Sequence, residues 1–378
     1  MPNLIPVDAR NVMVIPKALT GLPIRSLTSR LLPVLMLLLL GWSGSGDGTA
    51  YAGSTAEVIA QRGRSAAVAS MLETMAVSPE VFDDGSYQAT LGAFAGKAVG
   101  RDEDVQVAYF LACAALFDGV ARQPELAGRM SQLLLGASGN VQAYLRLTPA
   151  GQAGRMAAIG VLFESVARQP EMAGTLTDYA TLFCGTINEH APLGTAGKVA
   201  RMQAVGQLLT AIARQPEVAD QLTDLALAYL GAADTARQAK TEVQAARFAA
   251  IGVLCDDLAR QPEMAAELLA VARQFCGPAR AADQRSAEAM AGYMRAVGVM
   301  LEAVARNPEA GDLISTAFAE LSGGPFADAI NRPAARGAAY ETLGTLTRAV
   351  ARNPEQKATL DALFTFYTGC AIQPARQD

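Results

Sequence analysis

The sequence predicts an all-α chain built from seven helix–turn–helix repeats, and three observations carry that prediction. The motif Ala-Arg-Gln/Asn-Pro-Glu recurs with its proline at Pro124, Pro170, Pro216, Pro262, Pro308 and Pro354, always 46 residues apart. A weaker copy, Ala76 to Glu80, places Pro79 45 residues before Pro124. Around every proline the apolar residues fall at steps of three and four, the period of a helix with one buried face. The 378 residues would by length alone suggest two or three globular domains. Repeats of about 46 residues instead account for nearly all of the chain beyond residue 57, so 53–378 reads as one array.

The first element is an address. Arg10, Lys17, Arg25 and Arg30 precede the apolar run Leu31–Trp42, and Ala50-Tyr51-Ala52 follows with small residues. A basic region, a short apolar core and an A-x-A site read as a signal peptide over residues 1–52. Twelve apolar residues fall short of the roughly 20 a membrane span needs. The expectation is export to a periplasm or the cell exterior, with an uncleaved N-terminal membrane anchor as the alternative. Loss of 1–52 would leave 27 bases against 34 acids, a net charge of −7.

Each repeat opens with a long helix. Counting from the proline as zero, position −3 is Ala in all seven copies, and −8 is Leu or Met. Position −10 is small throughout, from Ala69 and Ala114 to Gly160, Gly206, Gly252, Gly298 and Gly344. Glycine costs a helix about 1 kcal/mol relative to alanine, so its recurrence implies close approach of a neighbouring helix. The residue before proline is driven out of the α region, which ends the helix there. Proline followed by Glu then suits the start of a second helix. The connections are the variable part: 136–151, 185–197, 231–236, 277–283 and 322–333. Val141–Leu147 and Phe326–Asn331 have room for a third short helix, and Asp102-Glu103-Asp104 reads as a helix start.

Period, paired helices and turn proline together resemble the α-solenoid class of HEAT and armadillo repeats. The resemblance covers essentially the whole of 53–378 and implies a superhelical stack; the interior proline often used to recognise HEAT units is missing, so no family is assigned.

Few residues offer chemistry. The single histidine, His190, excludes a two-His metal site, and its place in a variable connection reads as a solvated loop. A net charge of −5 argues against nucleic-acid binding. Gly92–Ala98 falls one residue short of a phosphate loop and lacks its Ser/Thr. No cofactor is implied. The aromatics at +13 (Phe183, Tyr229, Phe275, Tyr367) and the −14 row (Met156, Met202, Phe248, Met294, Tyr340) read as core. Register keeps Cys184, Cys255 and Cys276 too far apart for disulfides, leaves Cys113 without a partner, and makes Cys370 the one candidate for an intermolecular bond.

The candidate ligand-binding ladder is the arginine row at −2: Arg122, Arg168, Arg214, Arg260, Arg306 and Arg352. Acids at −6 offer these arginines i,i+4 partners, in Asp118–Arg122, Glu164–Arg168, Asp256–Arg260 and Glu302–Arg306, so structural pairing competes with ligand recognition. The expected function is a non-enzymatic, protein-binding scaffold of the cell envelope or periplasm. The alternatives are a structural spacer or self-assembling envelope element, and an enzyme with a carboxylate-based site in the connections.

Overall fold

The architecture follows from a computed structural model, in which the chain divides into two units, Met1–Gly48 and Thr49–Asp378. The structure describes residues 55–82, 102–144, 146–190, 192–233, 241–278, 286–324 and 333–372. The signal segment 1–52, the glycine-rich stretch 92–98 and the helix expected at 326–331 lie outside the described residues.

Among the described residues there is no strand. Helix α1 (Thr55–Val77) is followed by pairs of one 20-residue and one 12-residue helix. These are α2 (Glu103–Arg122) with α3 (Ala127–Ser138), α4 (Pro149–Arg168) with α5 (Ala173–Cys184), and α6 (Thr195–Arg214) with α7 (Ala219–Leu230). Then come α8 (Thr241–Arg260) with α9 (Ala265–Cys276), α10 (Ala287–Arg306) with α11 (Gly311–Ser322), and α12 (Pro333–Arg352) with α13 (Lys357–Thr368). The expected tight turn is present, but proline opens a single 3-10 turn, as at Pro124–Leu126, before the short α-helix begins. Asp102 caps α2 by accepting from the Asp104 backbone N–H at 3.0 Å, as the acidic cluster implied. The third helix anticipated at Val141–Leu147 is only a 3-10 turn, Val141–Tyr144.

Each long helix packs against the next long helix, from α1–α2 through to α10–α12. Each short helix rests on its own long helix and on the preceding one, as α5 does on α4 and α2. Small residues set the closeness of the long-helix seam. A methyl added to Gly252 would sit 3.5 Å from Val299 Cβ and 3.7 Å from Ala296 Cα, which is ordinary contact. One added to Gly292 would sit 2.7 Å from Ala245 Cα, which is a clash.

The connections are governed by one buried side chain per repeat, at position −15. Arg155 donates to the carbonyls of Cys184 (2.7 Å) and Gly185 (2.5 Å), at the end of its own short helix, and to Tyr229 (3.2 Å) on the next one. Arg201 repeats this with Leu230 (2.8 Å), Gly231 (2.6 Å) and Phe275 (3.1 Å). Arg247 does so with Cys276 (2.8 Å), Gly277 (2.8 Å) and Leu321 (2.6 Å). Tyr109 and Tyr293 occupy the same phase and reach the next short helix at Phe183 and Tyr367. Gly185, Gly231 and Gly277 present their carbonyls to these arginines with φ between 63° and 70° and ψ between 162° and 171°. That region is open essentially to glycine alone.

The aromatic row at +13 is core, every member at most 2% exposed. So is the −14 row, with one correction: Tyr340 is 68% exposed, because among the described residues no long helix packs over that face of α12.

Two predictions follow from this packing. Gly252→Ala fits the seam and should stabilise the protein by roughly 0.5–1 kcal/mol, Gly292→Ala should destabilise it by about 1–3 kcal/mol, and Gly252→Leu should disrupt the stack. Urea titration of the three variants tests the order; equal midpoints would mean the seam is not tight. Arg201→Ala removes a donor from three carbonyls, each such charge-assisted bond being worth about 1.5–3 kcal/mol. It should therefore cost at least ~3 kcal/mol, and Arg201→Tyr should recover part of that, read by the same titration.

Candidate interaction surface

The −2 arginines line the turn edge of the long-helix layer, and the acids at −6 face them across neighbouring repeats. Asp118 takes Arg122 from its own helix at 2.7 Å and Arg168 from the next long helix at 2.5 Å. Asp256 likewise bridges Arg260 and Arg306. The pairs anticipated as Asp118–Arg122 and Asp256–Arg260 are therefore present. Glu164–Arg168 and Glu302–Arg306 are not among the ion pairs of the described residues, since the arginine in each case reaches back to the previous repeat's aspartate. Glu164 instead accepts from Gln207 at 3.3 Å, and Glu302 faces Arg348 at 3.6 Å. Arg214 and Arg352 are exposed and make no ion pair among the described residues.

The Gln or Asn of the motif stitches the same edge. Gln123, Asn307 and Asn353 donate their side-chain amides to the carbonyls of Ala76, Ala259 and Ala305, the −3 alanines of the preceding repeat. An otherwise unsatisfied helix-end carbonyl is capped each time. Toward the C-terminal end this face opens into a groove of about 240 Å³ between α10 and α12. Arg295–Glu341 and Glu302–Arg348 line it together with Val299, Thr342 and Thr345.

Other sequence expectations are corrected. His190 is not solvated: it ends a single helical turn, Ile187–His190, and is 6% exposed. Burial and the adjacent Arg155 charge push its imidazole down to about 4, with Glu189 opposing. Burial also pushes the Arg155 guanidinium down, to about 10, so it remains charged at neutral pH. Cys113 is a buried free thiol, as expected, and donates to the Phe183 carbonyl of α5, which lies on α2, at 3.9 Å. All five cysteines are free thiols, and Cys370 is the one that is not fully buried. Among the described residues no group of three or more His, Cys, Asp or Glu is placed to hold a metal ion. Helix α2 is long and apolar enough to cross a membrane, yet most of it is buried against its neighbours.

Asp257, at position −5, interrupts a row otherwise filled by Thr74, Gly119, Ser165, Ala211, Ala303 and Ala349. It is 1% exposed and accepts from Thr210 Oγ1 at 3.0 Å. Burial is the main cause pushing its carboxyl up to about 6, with Asp256 adding to the rise and Thr210, Arg260 and Arg214 lowering it.

No family model, curated protein or solved structure matches the chain. What the surface can do must be read from its own geometry.

The two perturbed groups act on stability in opposite senses. Folded Asp257 keeps its proton where the unfolded chain, near its ordinary 3.8, has lost it, so its contribution disappears as pH rises from 3.8 to about 6. Folded His190 resists protonation, so its contribution disappears as pH falls from 6.5 to about 4. Asp257→Asn should therefore match the parent near pH 3.5 and exceed it by up to ~3 kcal/mol above pH 6.5. Denaturation curves across that range check this, and a constant offset at every pH would sink it.

Proposed function

We propose that this chain is an exported α-solenoid of seven repeats that binds other proteins as a non-enzymatic scaffold. In this reading residues 1–52 are the export signal, and the protein works in a periplasm or at the cell envelope. The observation that carries the binding role is the file of exposed and half-exposed positions repeated on successive long helices, ending at the −2 arginine row. Such an extended surface suits recognition of another macromolecule's surface rather than enclosure of a small substrate.

The packing also supports the choice of face, because successive long helices pack closely enough that glycines of one stand against the next, as Gly252 does against Val299 and Ala296. Arg214 and Arg352 are then the guanidinium groups of the row best placed to meet a partner's carboxylates.

Fractionation of cells with N-terminal sequencing tests the compartment: the expected product begins near residue 53 outside the cytoplasm, and recovery from the cytosol overturns export. Crosslinking capture in that fraction tests the surface. Arg214→Gln combined with Arg352→Gln should lose the captured protein with unchanged circular dichroism, and retention of the same partner would reject the long-helix face. Exchange of the 185–197 connection separates a contribution from the loops.

A further inference from the structure

The two ends of the array carry matching halves of the joint used inside it. Internally, each long helix offers the next a forward face at −14, −11, −10 and −3. Phe110, Met156, Met202, Phe248 and Met294 at −14 are all at most 1% exposed there, and the −11 residues are fully covered. The next helix receives that face with a file of mostly small residues at −19, −16, −12, −9 and −5. At the seam itself, the methyl that Gly206 lacks would meet Ala250 Cα and Val253, and that of Gly298 would meet Thr345.

On α12 this forward face is present and uncovered. Tyr340 is 68% exposed and Leu343 41%, Ala351 is exposed, and a methyl on Gly344 would meet nothing. On α1 the receiving face is equally uncovered: Ala60, Gly63, Ala67, Ser70 and Thr74 are all exposed, at the same five positions. The shape that fits each face is thus already displayed several times within the chain.

We infer that a second copy of this chain covers each face, α12 of one molecule docking on α1 of the next in the register of the internal seam. The contact is heterologous, so it propagates into a ring or a filament rather than closing as a symmetric dimer. It is independent of what the long-helix face binds. A 20-residue helix about 30 Å long and ~10 Å across presents on the order of 300 Å² per partner, against the ~800 Å² of a stable complex. The fasteners that reinforce internal seams are also lacking: Ala339 stands at −15, Thr347 at −7, and Val77 and Ser78 replace the arginine and amide of the turn. Association is therefore reversible and concentration-dependent.

Sedimentation velocity of the full chain over a concentration series reads this directly, with mean mass rising as concentration rises. Tyr340→Glu and Ala67→Arg each place a charge in the joint and should each raise the concentration needed for association by about tenfold or more. Both positions are exposed, so circular dichroism and thermal unfolding should stay unchanged. Mixed together, the two variants should form dimers and stop there, because one retains an intact α1 face and the other an intact α12 face. A monomer at every concentration overturns the inference. So does association indifferent to Ala67→Arg, which would mean that α12 meets some other surface, and so does failure of the mixture to dimerise.

Discussion

A buried guanidinium set against helix-end carbonyls holds the middle of this array together. Arg155, Arg201 and Arg247 sit on the inner side of their long helices and direct their guanidinium groups at the carbonyl ends of two successive short helices. Burial of a charge is expensive in a dry interior. Here the partial negative charge of two helix C-termini converges on it, and the planar fork matches several carbonyls at once. One side chain thereby fixes the tilt of its own hairpin and the docking of the next. The conformation of the glycines closing α5, α7 and α9 follows from this, since their unusual ψ turns the carbonyl toward the guanidinium. Beyond those glycines the constraint lapses, and there the connections diverge in sequence.

The remaining recurrent positions divide the work between two edges of the long helix. At the turn edge, Arg168 and Arg306 at −2 reach back one repeat to the −6 aspartate, and Gln123, Asn307 and Asn353 at −1 reach back to the −3 carbonyl. The motif Ala-Arg-Gln/Asn-Pro-Glu is therefore an inter-repeat stitch as much as a turn signal. Exposed ion pairs contribute little singly, on the order of 0–1 kcal/mol, so their value lies in register rather than in strength. Along the seam, the small residues bring backbones close enough that large side chains at −14, −11 and −7 fill the space between helices.

The hairpins, their boundaries and the core rows were legible because a 46-residue register repeats the same physical test at each position. The buried arginines were not, although Arg64, Arg155, Arg201 and Arg247 share a phase. A charged residue in a helix is read as surface, and its partners lie 29 to 74 residues away on backbone atoms that carry no sequence signature. The signal available was the phase itself, since −15 lies beside the apolar −14 row. His190 was misplaced for a related reason: register within one repeat does not reveal how a connection folds back over the helices beside it. Of the candidate surface, the −2 row and two of its ion pairs were readable. The cross-repeat sharing by Asp118 and Asp256 was not, because it depends on the stagger between neighbours.

The ends of the array show what the interior bonds are for. In a linear stack each repeat is stabilised by its neighbours, so a terminal repeat has half the coupling of an internal one. Here the terminal repeats also lose the specific fasteners: Ala339 cannot reach carbonyls as the arginines do, and Arg348 stands where the other repeats mostly carry an acid. These are losses of directional, polar bonds, whereas the apolar forward face of α12 remains apart from Thr347. Had the end evolved only as a solvent-facing cap, the residues easiest to make polar would be Tyr340 and Leu343, which are 68% and 41% exposed. Their retention, beside a glycine that no neighbour touches, separates two layers of design: polar bonds that make covalently joined repeats rigid, and an apolar seam that serves whether or not the next helix belongs to the same chain.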